Sequence, residues 1–143
     1  MAAWRRKALV QFPELRHELN RGDYSIYQLF SDLHHEVWEA HNSWDDGKLS
    51  KIYGFAEWCL FQSSQELSNP AGVSFYEHVI ASRRQRQNWA KVIPWLSPRV
   101  VREVSGLWEY MLEPSEWNEL QKMFAEYERN PQSTSPGLSL IHI

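Results

Sequence analysis

The division of the chain into helices is decided near its middle, by the stretch Ser68-Asn69-Pro70-Ala71-Gly72-Val73-Ser74-Phe75-Tyr76-Glu77-His78-Val79-Ile80. Asn69 can cap a helix, and Pro70 suits the first helical position because its missing N–H would be unpaired there anyway. Apolar residues follow at helical spacing: Val73, Tyr76, Val79 and Ile80. We therefore predict that a long helix ends before Asn69 and that another begins at Pro70, with this stripe in the core.

Upstream of this stretch, three further helices are indicated. The first covers residues 3–20 and should kink at Pro13. Ser25 and Gln28 have the capping-box spacing, so the second should run from there to about His41. Asp45 or Asp46 can cap the third, which we expect to reach about Leu67 because its apolar positions keep the helical period.

Downstream, Ser97 and Pro98 again place a capping residue before a first-turn proline, which predicts a helix over residues 98–112. Another should begin at Pro114. No segment shows the alternation that is typical of strands, so we predict an all-α fold of five to six helices, packed as a bundle or as antiparallel helix pairs. Residues 1–129 are expected to form a single domain and residues 130–143 a flexible tail, whose apolar ending Leu138–Ile143 can dock on a surface.

Composition narrows the class of protein. The chain has 143 residues, which suits one domain, and hydrophobic residues make up 43% of it, which excludes a wholly disordered chain. Its formal charge of −3 gives no strong attraction to nucleic acid or to membrane. A single cysteine, Cys59, cannot form an internal disulfide, and no apolar run approaches the ~20 residues of a membrane helix. The basic start, Met1–Lys7, lacks the apolar stretch of a signal peptide. We expect a cytoplasmic protein that makes no membrane contact.

Three segments carry a family likeness: Phe12-Pro13-Glu14-Leu15, Tyr27-Gln28-Leu29-Phe30-Ser31-Asp32-Leu33 and Asn69-Pro70-Ala71-Gly72-Val73-Ser74-Phe75-Tyr76-Glu77. Together they resemble an uncharacterised bacterial all-helical family, one of the domains of unknown function. In that family an asparagine, an aliphatic pair and a V-S-F-x-E segment follow a long helix. The likeness spans about residues 9–125. It implies a helical fold, and it brings no catalytic residues with it.

Basic and aromatic residues are the first candidates for a binding surface. Every charged residue between Glu77 and Glu103 is basic, and Arg83, Arg84 and Arg86 form the densest group. Such a group can contact nucleic-acid phosphates, although the slightly acidic chain disfavours this interpretation, or it can pair with the acidic residues 103–128. Tryptophan is enriched at interfaces. The candidates outside the regular stripes, or beside the basic group, are Trp44, Trp89 and Trp95.

Histidines and carboxylates suggest a second kind of site. Glu14–His17 has the pattern E-x-x-H and Asp32–His35 the pattern D-x-x-H, which with Glu57 and Glu77 resemble the ligand set of a di-iron bundle. An arginine inside the first motif and the proline beside it speak against a metal, so we predict no metal and no cofactor. A polar site near His34, His35 and Glu77 remains the alternative, in a bundle that binds a small molecule or acts as an enzyme.

The sequence lacks a nucleophile elbow and a catalytic-cysteine signature. We therefore favour a non-enzymatic protein–protein interaction module of immunity or adaptor type, which binds another protein through the basic segment 83–102 and one or two aromatic side chains. A homodimer is a further possibility for the partner. Nucleic-acid binding through Arg83–Arg86 is kept as an additional alternative.

Overall fold

The computed structural model describes residues 1–82 and 85–131, and all regular structure within these ranges is helical. The α-helices are α1 (Ala3–Gln11), α2 (Arg16–Leu19), α3 (Ile26–Asn42), α4 (Asp46–Leu60), α5 (Gln65–Pro70), α6 (Glu77–Ala81), α7 (Trp89–Val92), α8 (Pro98–Met111) and α9 (Pro114–Arg129). A π-helical turn, Ala71–Tyr76, joins α5 to α6, and 3-10 turns occupy Pro13–Leu15, Arg86–Asn88 and Ile93–Trp95. The all-α class is confirmed, with more helices than the five to six predicted.

The chain divides into two compact units, Met1–Phe75 and Tyr76–Ile143. In the first unit α3 packs on α4 and α5, and α1 packs on α4; in the second, α6 packs on α8 and α7, and α9 packs on α8. A single domain over residues 1–129 stays a prediction. Of the predicted tail, residues 130–143, the part from residue 132 onward lies outside the described residues. Within the described ranges, no helix combines the length and apolar character that crossing a membrane requires.

Three of the predicted helix starts that rest on capping residues are confirmed, those at Ser25, Asp45 and Ser97. Ser25 Oγ accepts a hydrogen bond from Gln28 N at 3.2 Å, and Gln28 Oε1 accepts one from Ser25 N at 2.6 Å, which completes the capping box of α3. Asp45 Oδ1 caps α4 at Lys48 N, and Ser97 Oγ caps α8 at Val100 N. Because a cap is a contact between near neighbours, the local sequence was enough to predict it.

The predicted break at Asn69–Pro70 is wrong. Helix α4 ends at Leu60, and Ser64 caps α5 by accepting from Glu66 N at 3.2 Å. Pro70 lies inside the helical run, where its missing N–H removes one hydrogen bond from the α-helical ladder. The π turn begins at the next residue, Ala71, at the point where the regular pattern is interrupted.

The π turn also changes which side chains are buried. A π turn holds more residues than an α turn, so the apolar face shifts relative to an ideal α-helix. Phe75 and Tyr76 are both buried, whereas Val73, which we had placed in the core, is 43% exposed. The rest of the predicted stripe, Val79 and Ile80, is buried as expected.

Aromatic side chains fill much of the core of the first unit. The ring of Phe55 lies 5.6 Å from that of Phe12 and 5.9 Å from that of Phe30. The Phe75 ring lies 6.0 Å from Phe30 and 5.6 Å, edge to face, from Tyr53. Contacts of this kind add ~0.5–1.5 kcal/mol each to the free energy gained by burial, so this cluster joins α3, α4 and the π turn.

Two buried indoles organise the second unit. The Trp108 N–H donates to the carbonyl of Tyr76 at 2.9 Å, and the Trp89 N–H donates to the carbonyl of Ile80 at 2.8 Å. Ile80 belongs to the last turn of α6, where carbonyls have no partner within the helix. Trp89 therefore caps α6 from a distance.

Candidate functional site

Trp44 lies in the connection between α3 and α4, and its backbone is in the left-handed region with φ 55°. Trp44 N donates to His41 O at 3.4 Å, and Asp45 N donates to Ala40 O at 2.9 Å. This pair of bonds is the Schellman motif, in which the left-handed residue is usually glycine. Trp44 is the one non-glycine residue with positive φ in the described part of the chain.

The indole of Trp44 is more than half exposed, at 54%. Its flanking residues, Asn42, Ser43, Asp45 and Gly47, are exposed as well, so a large apolar ring projects from a polar loop. A left-handed conformation costs a residue with a side chain ~1–2 kcal/mol relative to glycine. Trp44 thus combines two unfavourable features, backbone strain and exposure of an aromatic ring, and strained residues cluster at binding sites.

A buried polar pair involves His41, the residue that directly precedes this loop. His41 Nε2 and the hydroxyl of Tyr53 are 2.8 Å apart, and both side chains are less than 5% exposed. The ring of Trp38 lies 5.5 Å from that of His41, and its indole N–H donates to His34 Nε2 at 3.2 Å. Since the carbonyl of His41 also accepts from Trp44, this residue links the loop to the aromatic core.

An ion pair joins α3 to α4, the two helices that this loop connects. The ammonium of Lys48 donates to the carboxylate of Glu36, and both side chains are less than a third exposed. The hydrogen bond to Glu36 raises the pKa of Lys48, although partial burial opposes the rise. The Asp45 cap and this pair together hold the first turn of α4, which follows Trp44, against α3.

The basic candidates lie in the second unit. Arg86 donates to the carboxylate of Glu119 on α9, so its charge is compensated by the acidic helix as one of our interpretations anticipated. Arg83 and Arg84 lie outside the described residues. Trp95 is half-buried. Trp89 is only 1% exposed, so our placement of this indole on a binding surface is corrected: it is a core residue that caps α6.

The two histidines of the alternative polar site have local partners on α3. His34 and His35 lie on α3 in the first unit, and Glu77 is the first residue of α6 in the second. His35 pairs with Glu39 one turn away at 3.3 Å on an exposed face, and His34 accepts from Trp38. Among the residues that the structure describes, no three histidine, cysteine, aspartate or glutamate side chains come together as a metal site would require.

The surroundings of Cys59, the single cysteine, do not favour nucleophilic chemistry. Its side chain is fully buried on α4. Burial raises the pKa of the thiol to about 12, although Lys7 acts in the opposite direction. The thiolate is the reactive form, so Cys59 is inert at neutral pH.

The strain at Trp44 could not be predicted from the sequence, because tryptophan carries no signal for a left-handed conformation.

Comparison with known proteins identifies a family: a family model described as Domain of unknown function (DUF7674) matches residues 5–109. That range contains the whole α3–α4 connection. Neither the curated proteins nor the solved structures contain a significant match to the chain.

Proposed function

We propose that this chain, which belongs to the DUF7674 family of domains of unknown function, is a non-enzymatic protein–protein interaction module of bacterial immunity or adaptor type. Trp44 is the observation that carries the proposal. It is an exposed indole held in a backbone conformation that glycine adopts without cost.

The physical argument compares what Trp44 costs the free protein with what it offers a partner. Exposure of more than half of the ring forgoes much of the free energy that burial of a tryptophan provides. A partner that covers the ring recovers that free energy. Tryptophan is among the residues that most often dominate binding, typically at the centre of a patch with a polar rim. The exposed neighbours of Trp44 supply such a rim.

Rigidity of the loop supports the same function. The Schellman bonds, the Asp45 cap and the Lys48–Glu36 pair fix the backbone on both sides of Trp44. A loop whose backbone is already ordered loses less conformational entropy when it binds. We therefore assign Trp44 the role of anchor, in place of the basic segment that we had first favoured.

The location of the protein and the role of its basic group are further parts of the proposal. A cytoplasmic location is supported by the lone, buried Cys59, which needs no oxidising compartment. Arg86 is an auxiliary contact in this proposal. A partner would have to compete with Glu119, which pairs with Arg86 in the free chain. No specific observation favours the nucleic-acid alternative or the enzymatic site near His34, His35 and Glu77.

Affinity capture tests the proposal. The tagged wild-type chain, Trp44→Ala and Trp44→Gly are each immobilised and exposed to an extract of the source organism, and captured proteins are quantified by mass spectrometry. Tyr27→Ala is the matched control, since Tyr27 is equally exposed, at 53%, on α3 of the same unit. We expect a partner that both Trp44 variants lose and the control retains.

A direct affinity measurement with that purified partner then gives the size of the effect. Loss of a dominant side chain costs at least ~2 kcal/mol of binding, which is a ~30-fold increase in Kd. Capture lists that do not differ between wild type and the Trp44 variants would refute Trp44 as the anchor. A partner that is a second copy of the chain would instead show the homodimer, which light scattering detects.

A further inference from the structure

Helix α9 carries an apolar stripe that its own unit covers incompletely. Trp117, Leu120, Phe124 and Tyr127 recur at helical spacing on α9, yet Leu120 alone among them is fully buried. Phe124 stacks on Trp108, with ring centroids 5.7 Å apart, and is half-buried, as is Tyr127, so part of each ring stays accessible. The C-terminal half of α9 therefore leaves an apolar surface accessible.

This surface forms one wall of a groove. The opposite wall comprises Ile93 and Leu96, from the 3-10 turn and the residue after it, and Val101 of α8. The groove has a volume of about 290 Å³, close to the lower limit of small-ligand pockets. That size suits a few aliphatic side chains and is too small for the face of a folded partner. Pro131 lines the end of the groove, at the last residue described.

The chain continues from that end with a polar connection and an apolar segment. Residues 132–137 are Gln-Ser-Thr-Ser-Pro-Gly, and residues 138–143 are Leu-Ser-Leu-Ile-His-Ile. Six connecting residues span at most ~20 Å when extended, which is ample for a groove that begins at Pro131. We propose that the segment Leu138–Ile143 binds in this groove of its own chain and covers the exposed side of Phe124 and Tyr127.

Attachment to the chain makes a weak contact sufficient. A short connection between two binding groups gives an effective concentration in the millimolar range. If the free segment bound with a Kd of ~0.1 mM, an effective concentration of ~1 mM would keep the segment bound in about ten chains for each chain in which it is released. The proposal concerns the second unit alone and is independent of the role of Trp44.

Hydrogen exchange of the full chain tests this binding. The wild type is compared with a variant in which Leu138, Leu140, Ile141 and Ile143 are all replaced by serine, and with a control, Thr134→Gly/Ser135→Gly, that changes the connection alone. We expect amides in the last turns of α9 to exchange about tenfold faster in the serine variant and to change less than twofold in the control. A groove variant, Val101→Asp, should give the same increase, and its combination with the serine variant should add nothing.

Two results would overturn the proposal. Equal exchange rates in the wild type and the serine variant would mean that the segment does not cover the groove. Protection that weakens when the protein is diluted would mean that the segment binds a second copy instead, because binding within one chain does not depend on concentration.

Discussion

Replacement of Trp44 by alanine and by glycine should separate backbone strain from side-chain contacts at the α3–α4 connection. Both variants lose the indole, so they lose the same ring contacts. They differ in the left-handed backbone, with φ 55°, which alanine tolerates poorly and glycine tolerates well. The comparison of the two variants therefore isolates the strain.

The expected magnitudes follow from exposure and conformation. Trp44 is 54% exposed, so it buries a little under half of the ~150–250 Å² that a tryptophan can bury. Loss of this buried area costs ~2 kcal/mol at ~25 cal/mol per Å². Alanine should lose about this much. Glycine escapes the ~1–2 kcal/mol cost of the left-handed conformation but adds ~0.5–1 kcal/mol of chain entropy. Trp44→Gly should therefore be more stable than Trp44→Ala by ~0.5–1 kcal/mol.

Equilibrium unfolding in urea, followed by far-UV circular dichroism, measures both free energies. Ser50, an exposed residue of α4, provides the matched control. There the order should reverse, with Ser50→Ala more stable than Ser50→Gly by up to ~1 kcal/mol, because the backbone is helical. If alanine equalled or exceeded glycine in stability at position 44, the strain on which the anchor role rests would be refuted.

Four further predictions concern buried groups. Cys59 should react with iodoacetamide at pH 8 about a thousandfold more slowly in the folded chain than in urea, since burial raises the pKa of its thiol from 9.0 to about 12. The thiol of the unfolded chain loses its proton above about pH 9, whereas the folded chain keeps it until about pH 12, so the free energy of unfolding of the wild type should fall between these pH values. The free energy of unfolding of Cys59→Ala should depend less on pH over this range. Tyr53→Phe removes the hydrogen bond to buried His41 and should cost ~1–3 kcal/mol in urea unfolding, whereas a near-zero loss would show that the pair is not structural. Phe75→Ala should cost ~3–5 kcal/mol and Val73→Ala less than ~0.5 kcal/mol; similar losses in thermal unfolding would mean that the π turn is misplaced.

Contacts between near neighbours were predictable from the sequence. The capping box at Ser25 and the cap at Asp45 span three residues each, so residue type and spacing were sufficient. Trp44 could be placed in a connector for the same reason. Its left-handed backbone could not be foreseen, because tryptophan does not ordinarily adopt that conformation.

Contacts between distant residues were not predictable in this way. Trp89 looked like a surface residue because it follows a basic group, yet it is buried against a carbonyl nine residues upstream. That carbonyl needs a donor only because α6 ends at Ala81. Likewise, Glu119 is 33 residues from Arg86 and was one of several acids that could have paired with it. Each partner was fixed by the tertiary fold.

The course of the chain through Pro70 shows how tertiary packing overrides a strong local signal. Proline inside a helix costs ~3 kcal/mol, which would favour the break that the sequence suggests. Complete burial of a phenylalanine contributes ~1.5–3 kcal/mol, and each aromatic pair adds ~0.5–1.5 kcal/mol. Phe75 is fully buried and makes two such pairs, with Phe30 and Tyr53, so its contacts offset the proline. A helix that began at Pro70 with Val73 and Tyr76 inward would turn Phe75 away from those rings. The π turn keeps both Phe75 and Tyr76 inside, and that double burial is the physical reason why the helix continues through Pro70.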